Sequence, residues 1–450
     1  MKKLLLIITT AFSYALTTNN TFRISYQNLK FQNEHLGLLE TSYLFNFNNF
    51  YGGIGVYSAV SGKRGGFFTG GINIGYKYPI SSIFLDIGSF IGAGGGGAAP
   101  QGSGLMIKVY SGIMYKYKNL AYGININKIK FKDGSINSTQ LGFILDYNFK
   151  DYYFLKPVYF IKNADTANLI FTPVLKIYKP INSKTTTEEK QSKFAVIGGE
   201  VKKLYSTHFI YFEAAGAFEG QSDGYAELLF GIGKKFKYLN IKGFIGSAGG
   251  GKVDTKSGLL AGMEISKNFS LLHTSVGFLK SDGTFKAYYI KTGINKKFNF
   301  VIPGKKSFKI IPEKFNIKIY SQSYLPSNTI RKNRESKRLD VLNINLGKYI
   351  NKSSQIFINA AAAYNGDSGG YAVGSFGYEY EYKNIFTQIS IGAAGGGNVD
   401  VGGGIIAKAT LGYKIKNFFV SVGRIKALKG KLNTTTLSVG YSFDFYKGIK

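Results

Sequence analysis

The chain has 450 residues, with 58 Gly, 37 Phe, 33 Tyr and only 8 Pro, and it contains neither Cys nor Trp. Without Cys there can be no disulfide framework, thiolate-bound zinc, iron–sulfur cluster or cysteine nucleophile, and three His (His35, His208, His273) leave little for imidazole catalysis or a His-bound metal. The net charge is +32, but only six of the basic residues are Arg while Lys, Asn, Ile, Phe and Tyr are all abundant, so biased residue usage on solvated positions competes with selection for an anionic partner.

Met1-Lys2-Lys3 is a positive n-region, Leu4 to Phe12 is apolar, and Ser13-Tyr14-Ala15 places small residues before a cleavage point after Ala15. Residues 1–15 therefore read as a secretory signal peptide. The mature chain 16–450 has no apolar run approaching the ~18–20 residues of a transmembrane helix. It is then periplasmic, secreted or inserted as a β-barrel, and periodicity has to decide.

Alternation is strict along much of the chain. Ile72, Ile74, Tyr76 and Tyr78 alternate with Asn73, Gly75 and Lys77, and Leu141, Phe143, Leu145, Tyr147 and Phe149 share one face. Two further alternating stretches lie at 152–162 and 169–179. Residues 303–340 carry Pro303, Pro312, Pro326 and many Lys/Arg, and read as a basic polar excursion with two strands at its start. Phe376, Tyr378, Tyr380 and Tyr382 alternate with Gly377, Glu379 and Glu381, and Leu437, Val439, Tyr441, Phe443 and Phe445 with Ser438, Gly440, Ser442 and Asp444. Such alternation predicts β-strands, here longer than the ~5–6 residues usual in globular sheets. Aromatics gather at strand ends, as an interfacial girdle would place them.

The sequence also repeats itself. Ile91-Gly-Ala-Gly-Gly-Gly-Gly97 recurs as Ile245-Gly-Ser-Ala-Gly-Gly-Gly251 and Ile391-Gly-Ala-Ala-Gly-Gly-Gly397, each followed by Gly104, Gly258 or Gly404 at a matching offset. Ala214-Ala-Gly-Ala-Phe-Glu-Gly220 matches Ala360-Ala-Ala-Ala-Tyr-Asn-Gly366. Three Gly-rich units of about 100 residues each follow, near 40–150, 195–300 and 340–445.

With its signal peptide, its long alternating strands and its terminal strand 437–445, the chain resembles the bacterial outer-membrane β-barrel class. That resemblance implies an all-β, transmembrane antiparallel barrel in the outer membrane of a Gram-negative bacterium, in contact with outer-membrane lipid and lipopolysaccharide. Barrels of the class commonly end on an aromatic residue that directs insertion; here Phe445 is followed by 446–450, which displaces it. Summing the strands predicts one barrel of about 22 strands, within roughly 18 to 26, occupying 16–450 as a single domain. The alternative is three separate barrels of about eight strands each. Strand-like stretches between the units, in place of Gly/Ser linkers, favour the single sheet.

The alternation assigns an inward face. Lys77, Asp86 and Gly92, Lys242 and Gly246, and Glu379, Glu381, Gln388 and Gly392 are the candidate pore-lining residues. A barrel of more than ~16 strands leaves a lumen wider than its side chains fill, so the leading expectation is a passive porin-like channel or a structural barrel. Inward Lys would bias a pore towards anionic solutes. A conduit for a polysaccharide or protein chain is the alternative, and a barrel-embedded lipid-modifying enzyme a weaker one.

Enzyme-like motifs are isolated. Gly246 to Lys252 imitates a phosphate-binding loop, but Val253 replaces the Ser/Thr that the motif requires. Gly220-Gln-Ser222-Asp-Gly224 and Gly366-Asp-Ser368-Gly-Gly370 imitate nucleophile elbows, yet no His follows His273. Hairpin turns explain both. No catalytic residue, metal or cofactor is expected, and an exported barrel is not expected to meet nucleic acid.

Overall fold

Strict alternation commits the chain to strands, and the computed structural model describes residues 16–327, 330–332 and 337–450. The signal-peptide assignment at 1–15 lies outside the described residues. Among the described residues there are 26 strands and no helix.

The first eight are β1 (Leu16–Phe31), β2 (Glu34–Phe47), β3 (Phe50–Gly62), β4 (Phe68–Ile80), β5 (Ile83–Gly95), β6 (Leu105–Tyr117), β7 (Leu120–Phe131) and β8 (Asn137–Tyr153). Each is antiparallel to the next, and β8 returns to β1 from Leu16↔Tyr153 to Gln27↔Gly142. The next eight are β9 (Phe160–Pro180), β10 (Phe194–Leu204), β11 (His208–Glu219), β12 (Ala226–Lys235), β13 (Asn240–Gly249), β14 (Leu259–Phe269), β15 (Leu272–Ser281) and β16 (Lys286–Ile294). The C-terminal half of β9 takes β10 on one edge and β16 on the other, the latter from Ala287↔Pro180 to Gly293↔Val174.

β17 (Lys296–Pro303) and β18 (Lys306–Lys309) run along the N-terminal half of β9. The last eight strands are β19 (Ile311–Tyr324), β20 (Leu339–Tyr349), β21 (Ser354–Asn365), β22 (Ala372–Tyr382), β23 (Ile385–Gly395), β24 (Ile405–Ile415), β25 (Phe418–Ala427) and β26 (Asn433–Ile449). β26 closes on β19 from Ile311↔Ile449 to Tyr324↔Thr436. One bridge, Phe300↔Ile449, continues the second sheet into the third.

The expected single barrel of about 22 strands is corrected by this register. The sheet closes three times, because each eighth strand meets the first strand of its own group before the next group begins. The linking stretches lengthen or flank strands without splicing the groups into one wall. The excursion at 303–340 contains β18 and β19, and only 325–338 separates β19 from β20. The first barrel also begins earlier than the unit at 40–150, since β1 alternates Phe22, Ile24 and Tyr26 with the polar Arg23, Ser25 and Gln27.

All three barrels carry short turns at one end, such as 48–49, 118–119 and 383–384, and their glycine loops at the other, such as 96–104, 250–258 and 396–404. The loops interlock in a ring. Gly65 of the first barrel donates its N–H to the Lys256 carbonyl of the second (2.8 Å), and Ser247 Oγ donates to the Ala59 carbonyl (2.6 Å). Gly224 of the second barrel seats against Gly395 and Gly396 of the third. Gly369 of the third seats against Gly102 and Gly104 of the first, where Asp367 N–H donates to Ser103 Oγ (3.3 Å). In each case the loop after the third strand of one barrel enters the loop after the fifth strand of the next, a head-to-tail contact that closes after three steps. At the opposite end Phe154 and Tyr446 exchange two backbone hydrogen bonds (3.0 and 2.7 Å), tying the first barrel to the third.

Glycine is required where these backbones touch. A Cβ on Gly66, at φ +83°, would lie 2.1 Å from the Gly250 nitrogen. A Cβ on Gly395 would lie 2.1 Å from the Gly224 nitrogen, and the Gly395 φ is one that any residue adopts. Gly395→Ala thus tests the close approach alone. It should cost about 1–3 kcal/mol, as overpacking does, read as a lowered thermal midpoint by circular dichroism in detergent. Gly374→Ala, whose Cβ meets nothing within 4 Å, should leave the midpoint unchanged.

Candidate functional site

Each strand turns one face outward and one inward. The outward face is apolar: Ile87, Ile91, Ile113, Ile124, Leu141 and Phe143 in the first barrel, Ile232, Ile245, Met263 and Ile290 in the second, and Ile389, Leu411, Val420 and Val439 in the third are all exposed. The inward face is polar, and a circuit of eight strands has an interior only wide enough for its own side chains. The charged groups therefore meet one another inside.

In the first barrel Arg23, on β1, reaches across to β5 and β8. Its Nε donates to Asp146 Oδ1 (2.7 Å), Nη2 to Asp86 Oδ2 (2.5 Å) and Nη1 to the Tyr110 hydroxyl (2.5 Å). Lys77 also reaches Asp146 (3.1 Å), and Lys108 lies 3.3 Å from Glu40. In the second barrel Lys291 touches Glu200 (3.0 Å), Glu213 (3.0 Å) and Glu264 (2.9 Å), while Lys242 bridges Glu200 (2.5 Å) and Glu264 (3.0 Å). Lys176 bridges Glu213 (2.5 Å) and Glu227 (2.6 Å). In the third, Glu379 takes Lys318, Gln355 Nε2 (2.7 Å) and Gln388 Nε2, and Lys414 pairs with Glu381. Lys408 stands apart: its Nζ donates to Gln322 Oε1 (3.0 Å) and lies 3.4 Å from the Tyr320 hydroxyl.

Interior cations and anions nearly cancel. Arg23, Lys77 and Lys108 face Asp86, Asp146 and Glu40, and Lys176, Lys202, Lys242 and Lys291 face Glu200, Glu213, Glu227 and Glu264. Towards the glycine loops each interior is stoppered by apolar side chains: Phe67, Phe90, Met106 and Phe131 in the first barrel, Phe194, Tyr225, Leu260 and Phe285 in the second, and Tyr371, Val399, Ile406 and Leu432 in the third.

The residues expected to line a lumen do face inward, but into packed interiors. Asp86, Lys242, Glu379 and Gln388 are buried, and Lys77 and Glu381 are partly so. Gly92 abuts the Phe90 ring, Gly246 abuts Leu228 and Leu229, and Gly392 abuts Gly374 and Ser375. Sequence reasoning missed Arg23, Asp146, Lys108, Glu40 and Lys291. Their signal was their place as charged members of alternating strands, and spacing does not say which charges meet across a barrel. His273 is also interior, with Nδ1 2.9 Å from Asn268 Oδ1 and Nε2 3.7 Å from Glu264. Ser222 and Ser368 sit in tight turns whose carbonyls accept Tyr225 N–H (2.9 Å) and Tyr371 N–H (2.8 Å). On the loop face a cavity of about 840 Å³ lies between the second and third barrels, lined by Gln191, Lys193, Asp223, Lys252, Lys332 and Lys429 among others.

No family model and no curated protein matches the chain. The solved structures to which it is similar are outer-membrane β-barrels. One is Acinetobacter baumannii OccAB3, at 13% identity over 95% of this chain and 99% of that one, with a TM-score of 0.22. Another is a mutant of the Pseudomonas aeruginosa ferric enterobactin receptor PfeA in complex with enterobactin, at 9% identity over 96% and 82%, with a TM-score of 0.27. A third is a mutant Rh. blastica porin, at 8% identity over 76% and 91%, with a TM-score of 0.22.

Removing one partner from a buried charge cluster leaves the other charges uncompensated. Arg23→Ala should lower stability by about 3–5 kcal/mol, read as a lower denaturation temperature in detergent. Asp86→Asn together with Arg23→Ala should recover part of that loss.

Proposed function

We propose that the chain is a porin-like outer-membrane protein, exported by its segment 1–15, in which three copies of one duplicated Gly-rich unit stand side by side as a sealed barrel scaffold. The observation that carries this reading is reversed polarity: apolar side chains cover the outer walls while ion pairs fill the interiors. A water-soluble barrel needs the opposite arrangement, whereas in lipid an apolar wall is stable and a closed sheet leaves no backbone group unpaired. Exposed aromatics at the strand ends, such as Tyr115, Tyr117, Tyr380 and Tyr382, suit the headgroup level. Equivalent backbone angles support the duplication: φ is +96°, +97° and +95° at Gly62, Gly220 and Gly366, and +93°, +94° and +99° at Gly104, Gly258 and Gly404.

Sealing favours the structural reading over the conducting one. A passive pore or a polymer conduit needs a continuous wet path, and here each path meets both an ion-pair cluster and an apolar stopper. The near-cancellation of interior charge also gives an anion-preferring pore little field to work with. On this reading the working surface is the ring of glycine loops, which short turns opposite long loops would place outside the cell.

Reconstituted in planar bilayers, the full chain should give no stepwise currents of porin size under an applied voltage. Reproducible steps would overturn the sealed-scaffold reading in favour of the pore, and their reversal potential in a KCl gradient would give its ion preference. Release of the protein from membranes by alkaline carbonate alone would overturn membrane insertion itself.

A further inference from the structure

The charge of the chain is not spread evenly between its two ends. Acidic residues occupy the loop end, as at Glu34, Asp133, Glu188, Asp254, Asp282 and Asp400. The hairpin turns at the opposite end, among them 48–49, 118–119, 236–239, 270–271, 383–384 and 416–417, contain no acidic residue. Exposed lysines stand at both ends, but at this end the exposed carboxylates, among the described residues, are Asp165 and Asp444.

These lysines are arranged with aromatic rings. Lys118 Nζ lies 5.1 Å from the Tyr117 ring centre, Lys237 5.1 Å from Tyr238, Lys267 4.9 Å from Phe269 and Lys383 5.4 Å from Tyr382. Tyr117, Tyr238, Phe269 and Tyr382 are themselves exposed, where the apolar wall ends. Three of the turns share the dipeptide Lys-Asn, and in each the lysine holds the left-handed position: φ is +55° at Lys118, +54° at Lys383 and +58° at Lys416. Asn or Gly adopts that conformation at lower cost, so turn geometry alone does not call for lysine. A ring carrying a cation at the rim of an apolar belt matches a lipid headgroup layer, with the ring at the acyl boundary and the ammonium at the phosphate.

We propose that the short-turn end of the three barrels is a polybasic collar that binds anionic phospholipid headgroups of the leaflet in which it sits. This rests on the membrane-barrel reading above. The chemistry recognised is the phosphodiester of a headgroup with net negative charge, and a soluble acidic polymer is the competing occupant.

The test uses the full chain in nanodiscs of phosphatidylcholine containing a minor fraction of phosphatidylglycerol. Lipids co-released with the protein are counted by native mass spectrometry. The unsubstituted chain should enrich phosphatidylglycerol over its bulk share, and the enrichment should fall about tenfold when Lys118, Lys383 and Lys416 are changed to Asn and Lys237 and Lys267 to Gln. The Asn changes suit the left-handed positions, so thermal stability in neutral detergent should hold. A control with Lys63, Lys193, Lys252 and Lys429 changed to Gln at the loop end should keep the enrichment. Insertion without enrichment, equal loss in both variants, or a collar variant that keeps the lipid but loses binding to soluble polyglutamate would each overturn the collar. Failure to insert in any nanodisc would overturn the membrane reading instead.

Discussion

Closure after eight strands is the constraint on which the rest depends. A sheet in lipid has no water to satisfy an open edge, so it must return to its first strand, and the strand at which it returns fixes the width inside. At eight, the interior holds side chains and little else. The polar residues that alternation turns inward then lie close enough to neutralise one another. Arg23 between Asp86 and Asp146, and Lys291 among three glutamates, are the outcome. Such clusters are costly to bury and more costly to break, which makes each interior specific to its own set of partners.

The glycines answer a second demand. Three cylinders meet along lines, and lines bury little surface. Removing side chains from the loops lets backbone approach backbone, as where Gly224 meets Gly395 and Gly396. The hydrogen bond from Gly65 to Lys256 and the bond from Ser247 to Ala59 then fix the position of one barrel against the next. At the loop end the ring thus combines these hydrogen bonds with backbone contacts that a side chain on Gly66 or Gly395 would obstruct.

Much of this was legible in the chain, and the illegible part has a physical cause. Period-two alternation marks the strands, and Asp86, Lys242 and Glu379, which it turns inward, are buried side chains. Alternation is local, however, and says nothing about which distant strand supplies the second edge. β9 illustrates the difficulty, since one continuous strand serves a link along its N-terminal half and a barrel wall along its C-terminal half. β19 lies at the start of the basic stretch 303–340, where two strands were expected, and Pro312 occupies a place near the strand start where a missing N–H is tolerated. The ion-pair partners were hidden for the same reason as the closure: Arg23 and Asp146 meet only because β8 returns to β1.

Three barrels on one chain also escape a rule that binds assemblies of identical subunits, in which every change is made in all copies at once. Here corresponding positions differ: Lys108 reaches a carboxylate, Lys408 among the described residues bonds the neutral Gln322, and the matching position in the second barrel is Gly262. The first hairpins differ as well, from the two-residue turn at 32–33 to the longer segments 181–193 and 325–338. A fused ring can therefore specialise one sector of its outer face while the other two go on bearing the assembly, and a face exposed to shifting surroundings can be altered a third at a time.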